Sequence, residues 1–119
     1  MPAAVLIIED DAGLQEIMGH ALELEGYRVE TASNGRQALD RLSEGLKACV
    51  IVLDLMMPVM DGWQFRREQV QHAALKSIPV IVVSAAGRDR LEKIEANGYL
   101  SKPIDLEELL KQITACCPH

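Results

Sequence analysis

Five times along the chain a short strand-like segment, in three cases a continuous apolar run, gives way to helical periodicity, and that alternation restricts the fold more than any other feature. Ala3 to Ile8, Cys49 to Leu53 and Val80 to Val83 are unbroken apolar runs rich in Val and Ile. Such runs belong to strands covered on both faces of a parallel sheet, so these three are expected at its centre. Tyr27 to Thr31 alternates apolar with polar residues, and Gly98 to Ser101 is short and mixed. Strands with a face or an edge near water read this way, which puts these two at the edges.

Between the strands, Leu14, Ile17, Met18, Ala21 and Leu22 follow the 3.6-residue period, as do Leu39, Leu42 and Leu46, and later Leu106, Leu109, Leu110 and Ile113. Asp11 and Asn34 are placed to cap the first two helices, and Asp105 with Glu108 has the capping-box spacing for the last. A third helix from Gly62 to about Gln71 carries a poorer stripe. Repeated βα units with short connections imply an α/β doubly wound parallel sheet with helices on both faces. With the second and fifth strands outermost, the simplest order is 2-1-3-4-5. That order reverses between strands 1 and 3, and ligands of open α/β sheets bind beside such a reversal, at the carboxyl ends of the strands.

With 119 residues the chain has room for one ordinary domain, so residues 1–119 are read as a single module. Hydrophobic residues make up 49% and charged residues 25%, a balance that suits a packed domain rather than a disordered tail. A net charge of −6 and the absence of a Lys/Arg run argue against direct binding to nucleic acid or an anionic membrane. No apolar stretch reaches a membrane span, and the first residues lack the pattern of a secretion signal. The expected compartment is the cytoplasm. The three cysteines are odd in number without repeated spacing. Cys49, inside an apolar run, reads as a small core residue, and Cys116, Cys117 and His119 do not give a zinc spacing.

Polar groups end four of the strands: Glu9, Asp10 and Asp11, then Asp54, then Ser84, then Lys102. In this topology they converge on one face. Carboxylates of Glu9, Asp10 and Asp54 within a few ångströms would repel by about 4 kcal/mol per pair at an effective dielectric near 20. A hard divalent cation offsets this best. Mg²⁺, with Mn²⁺ as an alternative, accepts one or two carboxylates while keeping waters and a phosphate oxygen. Carboxylates, a cation, the Lys102 ammonium and the Ser84 hydroxyl around one aspartate form a site for phosphoryl transfer, with Asp54 as the nucleophile.

At this point the sequence closely resembles the receiver domains of two-component response regulators, along its whole length. The pieces that carry the resemblance are Val5 to Asp11, Leu53 to Pro58 with Met60-Asp61-Gly62, Val83-Ser84-Ala85, and Gly98 to Pro103. The resemblance implies a flavodoxin-like (βα)5 fold and a phosphorelay function, with the phosphoryl group coming from a histidine kinase or a histidine phosphotransfer protein. It implies that Asp54 is the phosphoacceptor, that Asp10, Asp54 and the backbone carbonyl of Met56 bind Mg²⁺, and that Glu9 contributes through water. Lys102 would form a salt link to the phosphoryl group, Ser84 would hydrogen-bond it, and Tyr99 would swing inward as Ser84 moves. The Lys102-Pro103 bond would be cis. The partner on the output side is an unidentified protein, and such a domain catalyses only its own phosphorylation and dephosphorylation.

Bland roles stand beside the chemical ones. Asp11 is read as a helix cap rather than a metal ligand, and Asp61 as a structural turn residue. His20 and His72 fall in helical stretches without partners at metal spacing, and Trp63 is assigned to packing. The 18 positions from Ser84 to Lys102 are fewer than receivers usually have, so the fourth helix, near Arg88 to Ala96 with Leu91 and Ile94 inward, is expected to be short. A monomer or a weak, phosphorylation-dependent dimer follows. Met56 and Ala86 occupy places where polar residues speed loss of the phosphoryl group, so a long-lived phosphorylated state is expected. Two other functions compete: a receiver-shaped interaction module that is not phosphorylated, and a small haloacid-dehalogenase-type phosphatase. The second needs an aspartate two residues after the nucleophile, where this chain has Met56.

Overall fold

Each unbroken apolar run becomes an interior strand: β1 (Ala4–Ile8), β3 (Ala48–Asp54) and β4 (Val80–Ser84). β1 and β4 are buried at every position. The mixed segments become β2 (Val29–Ala32) and β5 (Gly98–Ser101), both partly open to solvent. The computed structural model describes residues 3–57, 59–85 and 95–117. Within them the strands form one parallel sheet of order β2-β1-β3-β4-β5. Four helices are described: α1 (Ala12–Leu24), α2 (Gly35–Ser43), α3 (Gly62–Gln71) and the C-terminal α4 (Leu106–Cys116). The short helix expected near Arg88 lies outside the described residues, as do Ala86, Leu91 and Ile94; Glu95 and Ala96, at its expected end, are not helical.

The period-two geometry of a strand sends successive side chains to opposite faces, and the core divides accordingly. Leu6, Ile8, Ile51, Leu53, Val80 and Val82 pack with α2 and α3 residues such as Leu39, Leu42 and Phe65. Val5, Ile7, Val52, Ile81 and Val83 pack with Met18 and Leu22 of α1 and Leu109 and Ile113 of α4. Each fully buried branched side chain is worth about 1.5–3 kcal/mol relative to exposure. Scarcity of aromatics is met by aliphatic interdigitation. Phe65 alone fills the space under α3 as a fully buried aromatic.

All four helices begin on a capping side chain. Asp11 accepts from the Leu14 amide at 3.1 Å, Asn34 from Gln37 at 2.8 Å, Asp61 from Gln64 at 2.8 Å, and Asp105 from Glu107 at 3.0 Å. These bonds satisfy amides that have no partner within the helix. Asp11 is thus a helix cap, as read from sequence, and Asp61, read there only as a structural turn residue, caps α3. Glu108 turns toward its own helix, where its carboxylate accepts from Gln112 Nε2 at 3.3 Å.

One sequence reading is overturned. Cys49 is not a plain core residue: it is bonded to Cys117, with Cα atoms 5.6 Å apart and a sequence separation of 68. The parallel sheet brings the first residues of β3 and the end of α4 to one pole, a proximity that no local spacing encodes. Cys116 remains a free thiol.

Candidate functional site

β1 and β3 are adjacent and in register, with Ile8 opposite Leu53, so the residues that follow, Glu9 and Asp54, emerge side by side at the carboxyl edge. Asp54 in turn lies opposite Val83 of β4, which puts Ser84 one step further on the next strand. Ser84 pairs with Ser101 of β5, and its carbonyl accepts from the Lys102 amide at 3.1 Å. Backbone register therefore delivers a carboxylate pair, a hydroxyl and an ammonium to one edge.

Glu9 and Asp54 are only 1% and 2% exposed, whereas Asp10 is open to solvent. One oxygen from each of Glu9, Asp10 and Asp54 lies within 4.8 Å of the others. Lys102 Nζ reaches Glu9 Oε1 at 2.8 Å and Asp54 Oδ2 at 3.4 Å. Apart from that ammonium, these two buried oxygens meet no donor among the described residues. Burial opposes the charge on Lys102, but the Glu9 hydrogen bond and the nearby Asp54 and Glu9 charges overcome it and raise its pKa. Partial burial of the carboxyl, then the bond and charge of Glu9, raise the pKa of Asp10, although the residue as a whole is exposed. Three clustered carboxylates, with one ammonium against two of them, make a donor set that fits a hard divalent cation.

The loop after Asp54 folds back over it. The Met56 amide donates to Asp54 Oδ1 at 3.2 Å, and the Met56 side chain is half exposed. Tyr99 is exposed, and its hydroxyl accepts from the Ala96 amide at 3.1 Å, so the ring stands outward. The Lys102-Pro103 bond is cis, as the resemblance implied. Trp63 packs against the core beneath α2 and α3. His20 is exposed on α1, and His72 forms the end of α3.

Two residues contribute in ways the sequence did not disclose, one of them, Gly62, known there only as part of a motif and the start of the third helix. Gln15 Nε2 donates to the carbonyls of Glu9 and Ala32, the latter at 3.2 Å, and so braces the acidic loop against β2. A polar residue on the sheet-facing side of α1, next to Leu14, was the available signal. Gly62 is the second. A Cβ there would lie 2.7 Å from the Asp54 carbonyl oxygen and 2.7 Å from Leu55 Cδ2, and its amide donates to the Leu55 carbonyl at 3.0 Å.

The comparisons agree with this geometry. The family described as the response regulator receiver domain matches residues 5–114. The Haemophilus influenzae protein named transcriptional regulatory protein CpxR homolog is 37% identical over 115 residues, covering 93% of this chain and 48% of that protein. Response regulator MprA of Mycolicibacterium vanbaalenii is 34% identical over 119 residues, covering 97% of this chain and 50% of that protein. The chain thus spans about half the length of these curated relatives. Among solved structures, the chemotaxis protein CheY4 of Vibrio cholerae superposes with a TM-score of 0.87 at 30% identity, over 98% of this chain and 99% of that one. The receiver domain of a Pseudomonas aeruginosa sensor histidine kinase, described with a magnesium ion coordinated in its active site cleft, gives 0.86 at 28% identity and 98% coverage of both chains.

Proposed function

Since this chain belongs to the response regulator receiver domain family, we propose that it accepts a phosphoryl group on Asp54 from the phosphohistidine of a histidine kinase or a histidine phosphotransfer protein. The observation that carries the reading is the convergence of two buried carboxylates, an exposed third and one ammonium at the carboxyl edge of the sheet. An Asp54 oxygen forms the new bond to phosphorus as the phosphorus–nitrogen bond breaks, and the electron pair returns to the imidazole, which takes up a proton. Asp10, Asp54 and the Met56 carbonyl, with Glu9 through water, would hold Mg²⁺ or Mn²⁺, which would supply charge neutralisation for the phosphoryl oxygens. Lys102 shifts from its carboxylate partners to the phosphoryl group, and Ser84 donates to it. The chain thereby catalyses only its own modification.

The switch follows from the same bonds. Taking a two-state equilibrium from 1:99 to 99:1 requires about 5.5 kcal/mol, and charge-assisted hydrogen bonds from Lys102, Ser84 and backbone amides to a new dianion are of that order. Movement of Ser84 and inward rotation of Tyr99 carry the change to a surface that a downstream protein reads. We place the domain in the cytoplasm as one module over residues 1–119, monomeric or weakly dimeric when phosphorylated, without its own contact to nucleic acid. With Met56 beside the acceptor and no polar group to orient a water from that position, the phosphorylated state is long-lived.

Incubation with acetyl phosphate, with and without Mg²⁺, followed by intact mass, tests the reading. The expected result is a Mg²⁺-dependent gain of one phosphoryl group that Asp54→Ala abolishes. No gain under any condition would overturn it in favour of a phosphorylation-independent module, and sustained turnover of a phosphate ester would favour the phosphatase.

A further inference from the structure

Cys49 and Cys117 lie at the pole of the sheet away from the acidic site. Cys49 is five positions before Asp54 on the same strand, roughly 16 Å away at about 3.3 Å per residue. Both cysteines are half-buried at the margin of the core rather than enclosed within it. The bond joins the start of β3 to the residue that ends α4, and the loop it closes contains the rest of β3, α3, β4, β5 and all of α4.

Contacts other than the bond hold each of the two residues in place. The buried Tyr27 donates its hydroxyl proton to the Cys117 carbonyl at 2.9 Å and stands 3.2 Å from Thr114 Oγ1. The Cys117 amide donates to the Ile113 carbonyl at 2.7 Å. Cys49 Sγ is 3.6 Å from the Ala4 carbonyl oxygen, which can accept from a reduced thiol. Reduction therefore leaves two thiols facing each other on a fixed frame, and thiols so placed re-form their bond readily. Burial pushes the pKa of the neighbouring Cys116 thiol up.

We propose that Cys49 and Cys117 are a reversible redox modification site, which exchanges with low-molecular-weight disulfides of the glutathione class and, when oxidised, locks the last turn of α4 onto β3. One protein thiolate attacks a sulfur of oxidised glutathione, forming a mixed disulfide and releasing one glutathione. The second protein thiolate displaces the other glutathione. Two electrons pass from the protein sulfurs to the glutathione disulfide, and the two protein protons leave with the two glutathione thiols. The site is separate from Asp54 and does not depend on its phosphorylation.

The test is a titration of the full chain in air-free glutathione buffers, stepped from oxidising to strongly reducing, followed by acid quench, alkylation and intact mass. Of the three cysteines, one is expected to be alkylated at the oxidising end and all at the reducing end. A single transition should separate them, with peptide mapping giving the Cys49 to Cys117 bond. Cys116→Ser should keep the transition and Cys49→Ser should lose it; if Cys49→Ser fails to fold, the wild-type titration and map decide alone. The oxidised chain should melt on the order of 10 °C above the reduced one. Full alkylation at every ratio, a bond that persists in the most reducing buffer, a bond mapped to Cys116, or equal melting of the two forms would each overturn the proposal.

Discussion

Val59, in the loop that follows Asp54, holds a positive φ of 67° while its side chain is 80% exposed. A β-branched residue in the left-handed region costs about 1–2 kcal/mol, and here little packing offsets it. Val59→Asn should therefore raise stability by about 1 kcal/mol, visible as a higher urea midpoint at unchanged slope; a lower midpoint would show that the side chain packs more than its exposure implies. Glu30 offers a pH-dependent counterpart. The Arg41 guanidinium, and secondarily Arg28, hold its carboxyl below the ordinary value of 4.5. A depressed folded-state pKa adds stability above the unfolded value and loses it as pH falls through the folded one. The stability gap between wild type and Arg41→Ala, from urea unfolding at a series of pH values, is expected to be full at neutral pH and to shrink below about pH 4. A gap that stays constant into acid would assign it to the bond from Arg41 to the Thr31 carbonyl instead.

At the scale of elements, α3 docks its first turn directly against the acceptor loop. Asp61 caps that turn, and Gly62 leaves no room for a side chain beside the Asp54 carbonyl and the Leu55 backbone. Gly62→Ala should cost about 1–3 kcal/mol by overpacking, and should slow phosphorylation from acetyl phosphate because the displaced loop carries the Met56 peptide away from Asp54. Equal phosphorylation rates in a destabilised variant would separate the packing role from the chemical one. The caps themselves were legible, since Asp11, Asn34 and Asp105 precede apolar stripes at the right spacing. Gly62's role was not, because a tight approach between the start of a helix and a distant strand end leaves no periodic trace.

Over the whole molecule, the folded sheet gathers like charges that the unfolded chain keeps apart, which opposes folding at the functional edge. Mg²⁺ that binds only the folded chain raises stability by RT ln(1 + [L]/Kd), about 2.7 kcal/mol at a hundredfold excess over Kd. For a domain of this size the melting temperature should climb by several degrees in excess Mg²⁺ over chelator, and Asp54→Ala should lose most of that gain. A gain retained in full by the variant would place cation binding elsewhere.

Sequence alone determined the five strands and the four described helices, the parallel order of the sheet and the identity of the acidic and basic groups at the strand ends, because each rests on periodicity, capping or topology that a linear pattern records. The tertiary structure decided which of those groups touch: Lys102 paired to Glu9 more closely than to Asp54, Gln15 bracing the Glu9 carbonyl, and Cys49 joined to Cys117. Such contacts join residues on different elements and are fixed by register and packing across the sheet, which local periodicity does not record.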